Sequence, residues 1–262
     1  MANLAFSKTI YTEVFPRTHS NMNQKPFNYD EMSALATIMG DEFEAVTLTG
    51  TDKLGGYTKS EITLICFKDN HNYGFFLVPV GTSTNCYLRA FFYYRDEFGN
   101  EKVDTTNICD LCSSTSNGGV YNLNVITLTI NNNLKLFEFR NTYGNSYYNT
   151  NKLFVTTAKD YNGSTKKCFV GLNGSNGNIV YSYDGGISKV TPSVGSVSED
   201  YLTYIGLQQV IDSVHGIVFD HIFFTTHRAD SCSHFIEVEG VKFYAPPANN
   251  SNAQFYIRDI VE

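Results

Sequence analysis

The sequence predicts a mainly β protein built of antiparallel sheets, sandwich-like or jelly-roll-like, with about two short helices. Three observations predict it. Residues 120–130 and 134–140 alternate apolar and polar side chains around Asn131-Asn132-Asn133, the pattern of a hairpin with one face buried. Residues 168–190, CFVGLNGSNGNIVYSYDGGISKV, set apolar runs on either side of Asn173-Gly174 and Asn176-Gly177, residue types that tolerate the positive φ of a tight reversal. Composition agrees: 26 Asn and 25 Thr against 4 Gln supply turn formers and strand formers, and only 17% of residues are charged.

In chain order, the first helix is expected over 30–39, where Met32, Leu35, Ala36 and Met39 recur at helical spacing, with Asn28 to cap it and Gly40 to stop it. Strands follow at 44–48 and 61–67 around the loop TGTDKLGGYTKS. A longer pair, 73–80 and 86–95, is closed by Asp96-Glu97-Phe98-Gly99-Asn100. Phe91, Phe92, Tyr93 and Tyr94 put rings on both faces of its second member, which must be buried twice or form an interface. Residues 104–119 are rich in Thr, Asn, Ser and Gly and lose apolar periodicity. They read as a loop and boundary between a β-rich unit at 1–103 and a second at 120–262, one large β domain being the alternative.

After the 120–140 hairpin, 141–150 reads as a Tyr- and Asn-rich loop and 152–158 as a strand leading into the glycine-turn region. A second helix is expected over 198–214, from Leu202, Ile205, Gln209, Val210 and Val214 on one face, acidic residues at its start and Gly216 beyond its end. Residues 217–226 form an apolar strand, 235–238 and 241–244 a hairpin through Glu239-Gly240, and 255–261 a last strand.

A formal charge of −7 argues against a nucleic-acid partner, which needs clustered Lys and Arg; Lys166-Lys167 is the only adjacent basic pair. No apolar stretch approaches the length of a membrane span, and the first residues lack the basic and apolar regions of a signal peptide. Six cysteines in 262 residues are too sparse for a disulfide scaffold. Cys66, Cys86 and Cys168 sit in strand-like contexts as small core residues.

Cys109 and Cys112 form a C-x-x-C that can hold one corner of a zinc tetrahedron, with Cys232 and His234 as the other ligands and His227 as a spare. The competing reading is two reduced thiols in a loop and no cofactor. Tyr143, Tyr147 and Tyr148 are the candidate glycan contacts, against packing of their loop by aromatic rings. Phosphate-loop, dinucleotide, H-E-x-x-H and G-x-S-x-G motifs are all absent. His215, His221 and His227 recur every six residues, too far apart along a strand for one metal. No catalytic residues are assigned, and a non-enzymatic role is expected.

Ser182, Asp184 and Gly186 make a Ser-x-Asp-x-Gly turn. This resembles the Asp-box of sialidase-like propeller blades, a turn also found in secreted and bacteriophage tail proteins. Lys189 stands where the usual aromatic would be and there is no second copy, so the resemblance implies a structural turn and not an active site. The low charge, Asn- and Thr-rich turns and the ending VEGVKFYAPPANNSNAQFYIRDIVE resemble tailed-bacteriophage virion and tail proteins. That resemblance implies a structural subunit made in the host cytoplasm and located in the virion. It would form a homo-oligomer through apolar β surfaces, with other virion proteins and a host glycan or receptor as further partners. The alternative is a carbohydrate- or cell-surface-binding module.

Overall fold

The computed structural model describes residues 7–12, 25–81, 86–106, 109–114, 123–131, 134–141, 152–173, 178–191, 208–225, 234–238, 241–245 and 254–258. Its first half comprises β1 (Ser7–Thr12), α1 (Tyr29–Met39), β2 (Phe43–Thr47), β3 (Lys53–Leu54), β4 (Tyr57–Thr58), a 3-10 turn at Lys59–Glu61, β5 (Thr63–Phe67), β6 (Asn70–Gly81), β7 (Cys86–Arg95), β8 (Glu101–Val103) and β9 (Cys109–Ser114). The second half comprises β10 (Leu123–Asn131), β11 (Leu134–Asn141), β12 (Lys152–Lys159), β13 (Thr165–Asn173), β14 (Asn178–Tyr183), β15 (Gly186–Val190), β16 (Gln208–Asp212), β17 (Ile217–Thr225), β18 (His234–Val238), β19 (Val241–Ala245) and β20 (Gln254–Arg258). The fold is mainly β, with antiparallel sheets in a sandwich-like arrangement.

One sheet has six strands, β2-β5-β6-β7-β8 with β9 also on β7; the larger has twelve, with β1-β10-β11-β12-β17-β20-β19-β18 as its path. β12 is the branch point. One edge pairs along its full length with β13, while the other is shared between β11, at Leu153 to Val155, and β17, at Ala158 and Lys159. The sheet therefore splits there, and β16 and β17 fold over one face of β12 to β14.

Side-chain alternation explains two cores. Leu153 and Val155 of β12, Phe169 of β13 and Val180 of β14 face the six-stranded sheet and α1, joining Phe67, Phe75 and Phe92 in one cluster. The residues between them, Phe154, Val170 and Tyr181, face the other way and pack with Phe219, Ile217 and Val210. Both faces are buried along residues 153–155 and 168–172, and LFV and CFVGL there are unbroken apolar runs. Phe169 sits at the junction, its ring centroid 4.7 Å from Phe67, 5.3 Å from Phe75 and 5.9 Å from Phe43. Gly171 makes the close approach: a Cβ there would stand 2.8 Å from Cys109 Cβ and 2.9 Å from Phe92 Cζ.

α1 forms as its signals predict. Asn28 Oδ1 accepts from Glu31 N at 3.0 Å, and Glu31 Oε2 accepts from Asn28 N at 2.8 Å, a reciprocal capping box. Its apolar face, Met32, Leu35, Ala36 and Met39, is buried.

Two expectations are corrected. Residues 208–212 of the predicted second helix are strand β16, paired with β17; Val210 and Asp212 are buried while Gln209 and Ile211 are exposed, a period of two that replaces the helical one. Residues 198–207 lie outside the described residues. Residues 109–114, expected in a loop, are strand β9 on β7, with Cys109 and Leu111 buried. Of the two readings left open for the aromatic strand β7, burial holds: Phe91, Phe92 and Tyr93 are buried inside this chain.

Candidate functional site

The residues singled out by sequence scatter across the fold. Cys109 is fully buried, its Sγ 3.6 Å from the Leu172 carbonyl, and burial pushes its thiol pKa up, which disfavours the thiolate a metal requires. Cys112 lies on β9 opposite Leu88, and His234 opens β18 opposite Ala245. Cys232, His227, Tyr143, Tyr147 and Tyr148 lie outside the described residues. Among the described residues, no group of three or more His, Cys, Asp or Glu side chains is placed to hold a metal ion.

The Ser182, Asp184 and Gly186 turn is the β14–β15 hairpin, where Tyr183 pairs with Gly186. Ser182 is buried and its Oγ donates to the Gly74 carbonyl at 3.1 Å, tying β14 to β6, whereas Asp184 accepts from Lys166 Nζ at 3.2 Å.

Sequence reading missed a cluster at Asp212. Its side chain is 4% exposed, and Oδ2 accepts from Tyr181 OH and Ser188 Oγ, both at 2.7 Å, while His215 Nδ1 stands 3.0 Å away. Burial raises the Asp212 carboxyl, but the donors Tyr181, Ser188 and His215 outweigh it and hold it below its usual range. Serine, histidine and aspartate are the residue types of a hydrolytic triad, yet a triad places carboxylate and hydroxyl on opposite ring nitrogens. Here both meet Nδ1, with Ser188 Oγ at 2.9 Å, and the serine proton is directed to Asp212. The arrangement braces a turn, and the group aligned on the Ser188 proton is the Asp212 carboxylate rather than the imidazole of His215.

Two other hairpin turns also rest on an aspartate that accepts backbone amides, with the second amide four residues on rather than three. Asp96 Oδ1 accepts from Phe98 N at 3.0 Å and Asn100 N at 2.7 Å, and Gly99 follows at φ +83°. Asp160 Oδ1 accepts from Asn162 N at 2.9 Å and Ser164 N at 2.8 Å, and Gly163 follows at φ +78°. Asp212 Oδ1 accepts from Val214 N at 3.0 Å and His215 N at 3.2 Å, and Gly216 follows at φ +66°. In each, an aspartate satisfies backbone donors and a left-handed glycine closes the hairpin. Each also holds one apolar side chain in solvent: Phe98 is 81% exposed, Tyr161 83% and Val214 85%. The signal in the sequence is the shared D-x-x-G of DEFGN and DYNGS.

The three tips share one end of the molecule. Lys159 and Ile211, which lead into the second and third, flank Val218 of β17, and a Cβ on Gly216 would stand 3.3 Å from Tyr161 Cβ. The first tip follows Tyr94, which pairs with Tyr73 of β6; the turn before β6 carries Asp69, bound at 2.8 Å by Lys167 of β13.

Among the described residues, no helix is long and apolar enough to cross a membrane. No protein-family model, curated protein or solved structure matches this chain.

Proposed function

We propose that the chain is a non-enzymatic structural subunit of a virus particle, a bacteriophage tail or virion-surface component that assembles through apolar surfaces of its β fold. The observation that carries the assembly role is the outward placement of Phe98, Tyr161 and Val214 on turns whose backbone is braced by aspartate, where covering these side chains would bury apolar area. The triad-like side chains Asp212, Ser188 and His215 support the non-enzymatic part, being engaged in bracing a turn. The virus-particle setting rests on the composition and the resemblance described above.

A second reading, a carbohydrate- or cell-surface-binding module, is favoured by the exposed ring of Tyr161, a shape that suits stacking on a sugar face. Light scattering across a concentration series, with negative-stain images of the eluted species, separates the two. Rings, trimers or filaments are expected for a particle subunit. A clean monomer at high concentration would refute self-assembly and direct attention to glycan screening.

A further inference from the structure

We propose that Asn162 is a site of spontaneous covalent modification, at which the side-chain amide closes on the Gly163 nitrogen and water opens the resulting succinimide to aspartate or isoaspartate.

The reaction needs an asparagine whose side chain can turn onto the next backbone nitrogen, and a next residue with no Cβ in the way. Asn162 and Gly163 meet both conditions. Residues 161–164 are exposed, and a Cβ on Gly163 would meet no atom within 4 Å beyond its own chain neighbours. The Asn162 backbone amide donates to Asp160 Oδ1 at 2.9 Å, but among the described residues no hydrogen bond engages its side chain. Other asparagines are tied down: Asn28 Oδ1 accepts from Glu31 N, Asn70 Oδ1 accepts from Asn72 N, and Asn100 Nδ2 donates to Asp96. Of the three aspartate-braced turns, this is the one with asparagine before its glycine; Phe98 and His215 hold that place in the others.

In the closing step the Gly163 nitrogen bonds to Asn162 Cγ, the Cγ–Nδ2 bond breaks, and Nδ2 leaves as ammonia with the proton that the Gly163 nitrogen gives up. Water then breaks one of the two ring C–N bonds. Breakage at Cγ leaves aspartate; breakage at the main-chain carbon leaves isoaspartate, with the chain routed through Cβ and Cγ. Either product adds a carboxylate beside Asp160, where Lys166 already lies 3.8 Å from Asp160 and 3.2 Å from Asp184. In isoaspartate the extra backbone atom parts Asp160 from Ser164, whose amide Oδ1 holds at 2.8 Å, and the turn that sets Lys159 opposite Thr165 loosens.

The fold sets the rate. Gly163 N donates to the Asp160 carbonyl at 2.9 Å, a bond that must open before the nitrogen can attack. Conversion in the folded chain is therefore expected to be about tenfold slower than in the unfolded chain.

The test incubates the full chain in mildly alkaline buffer, folded and in urea, and follows the peptide containing Asn162 by chromatography and mass spectrometry after digestion. Both products carry the mass difference between amide and acid, and isoaspartate elutes apart from aspartate. Wild type is compared with Asn162→Gln, whose longer side chain must close a larger ring, and with Asp160→Ala, which frees the turn amides; thermal melts establish folding. Asn162→Gln should abolish conversion at this position, and Asp160→Ala should bring the folded rate toward the unfolded one. An Asn162 that stays intact in the folded wild type for about a hundred times the half-time measured in urea overturns the site. A folded Asp160→Ala that converts no faster than wild type overturns the control by the turn. If Asp160→Ala fails to fold, the comparison of wild type with Asn162→Gln still decides the site.

Discussion

Replacing Glu101 by glutamine should destabilise the fold by an amount that shrinks as the solution is acidified. Glu101 opens β8 with its side chain 11% exposed; Oε2 lies 2.7 Å from Lys59 Nζ, and Oε1 accepts from Tyr93 OH at 2.8 Å and Arg95 Nη2 at 2.9 Å. Burial alone would raise its carboxyl pKa, but the hydrogen bonds from Lys59, Arg95 and Tyr93 prevail and hold it at about 2, against an ordinary 4.5. A folded value below the unfolded one means the contribution is full above about pH 4.5 and is lost as pH falls toward 2. Taken whole, that difference corresponds to about 3 kcal/mol at neutral pH, which screening by water at the sheet rim reduces to about 2 kcal/mol. Integrating the linkage leaves less than about half of it at pH 3. For a chain of this length 2 kcal/mol is about 4 °C in melting temperature. Urea unfolding of wild type and Glu101→Gln between pH 7 and pH 3 reads the gap directly. A gap that is the same at both ends of the range would refute the argument, because a loss from packing or shape does not titrate.

Gly171→Ala should lower stability by about 1–3 kcal/mol, because the added methyl meets Cys109 and Phe92 where the two sheets meet; a thermal melt within a degree of wild type would mean that junction is slack. Asp212→Asn should cost about 2–4 kcal/mol, since one of its oxygens becomes a donor facing either the hydroxyls of Tyr181 and Ser188 or the amides of Val214 and His215. Chemical denaturation measures it, and an unchanged midpoint would show the cluster is not bracing the turn. Cys66, Cys109 and Cys168 are buried, with Cys66 pushed up to about 12 by burial, so the native chain should label at no more than three of its six thiols with a thiol reagent. Rapid native labelling of any of these three, located by peptide mass, would contradict the packing.

The antiparallel architecture was legible wherever period two or turn chemistry was local. The hairpin at Asn131 to Asn133, the pair β6 and β7, and α1 with its Asn28 cap are all where local pattern puts them. The failures came from long-range pairing. Val210 and Val214 fit a helical stripe as well as they fit anything, and β17 decided the matter by pairing with β16 and leaving Val214 in the turn. Residues 109–114 carry polar and small side chains that suggest a loop, but the edge of β7 accepts them as a strand, and Gly171 of β13 leaves room for Cys109 beneath it. Neither partner is visible from within the segment itself.

The aromatic residues show where a sequence can separate inside from outside. Phe91 to Tyr93 lie in a strand, where each face can be covered by a layer this chain supplies; chemistry alone left open a core or an interface, and only the second layer resolved it. Phe98 and Tyr161 are different, because each lies inside a D-x-x-G turn. Once the aspartate carboxylate has taken the turn amides and the glycine has taken the left-handed position, the residues between them project beyond the last strand pair. Among the described residues, none covers Phe98 or Tyr161. An aromatic within a hairpin turn of this kind is therefore committed to solvent by local geometry, and the D-x-x-G signal marks its position in the sequence.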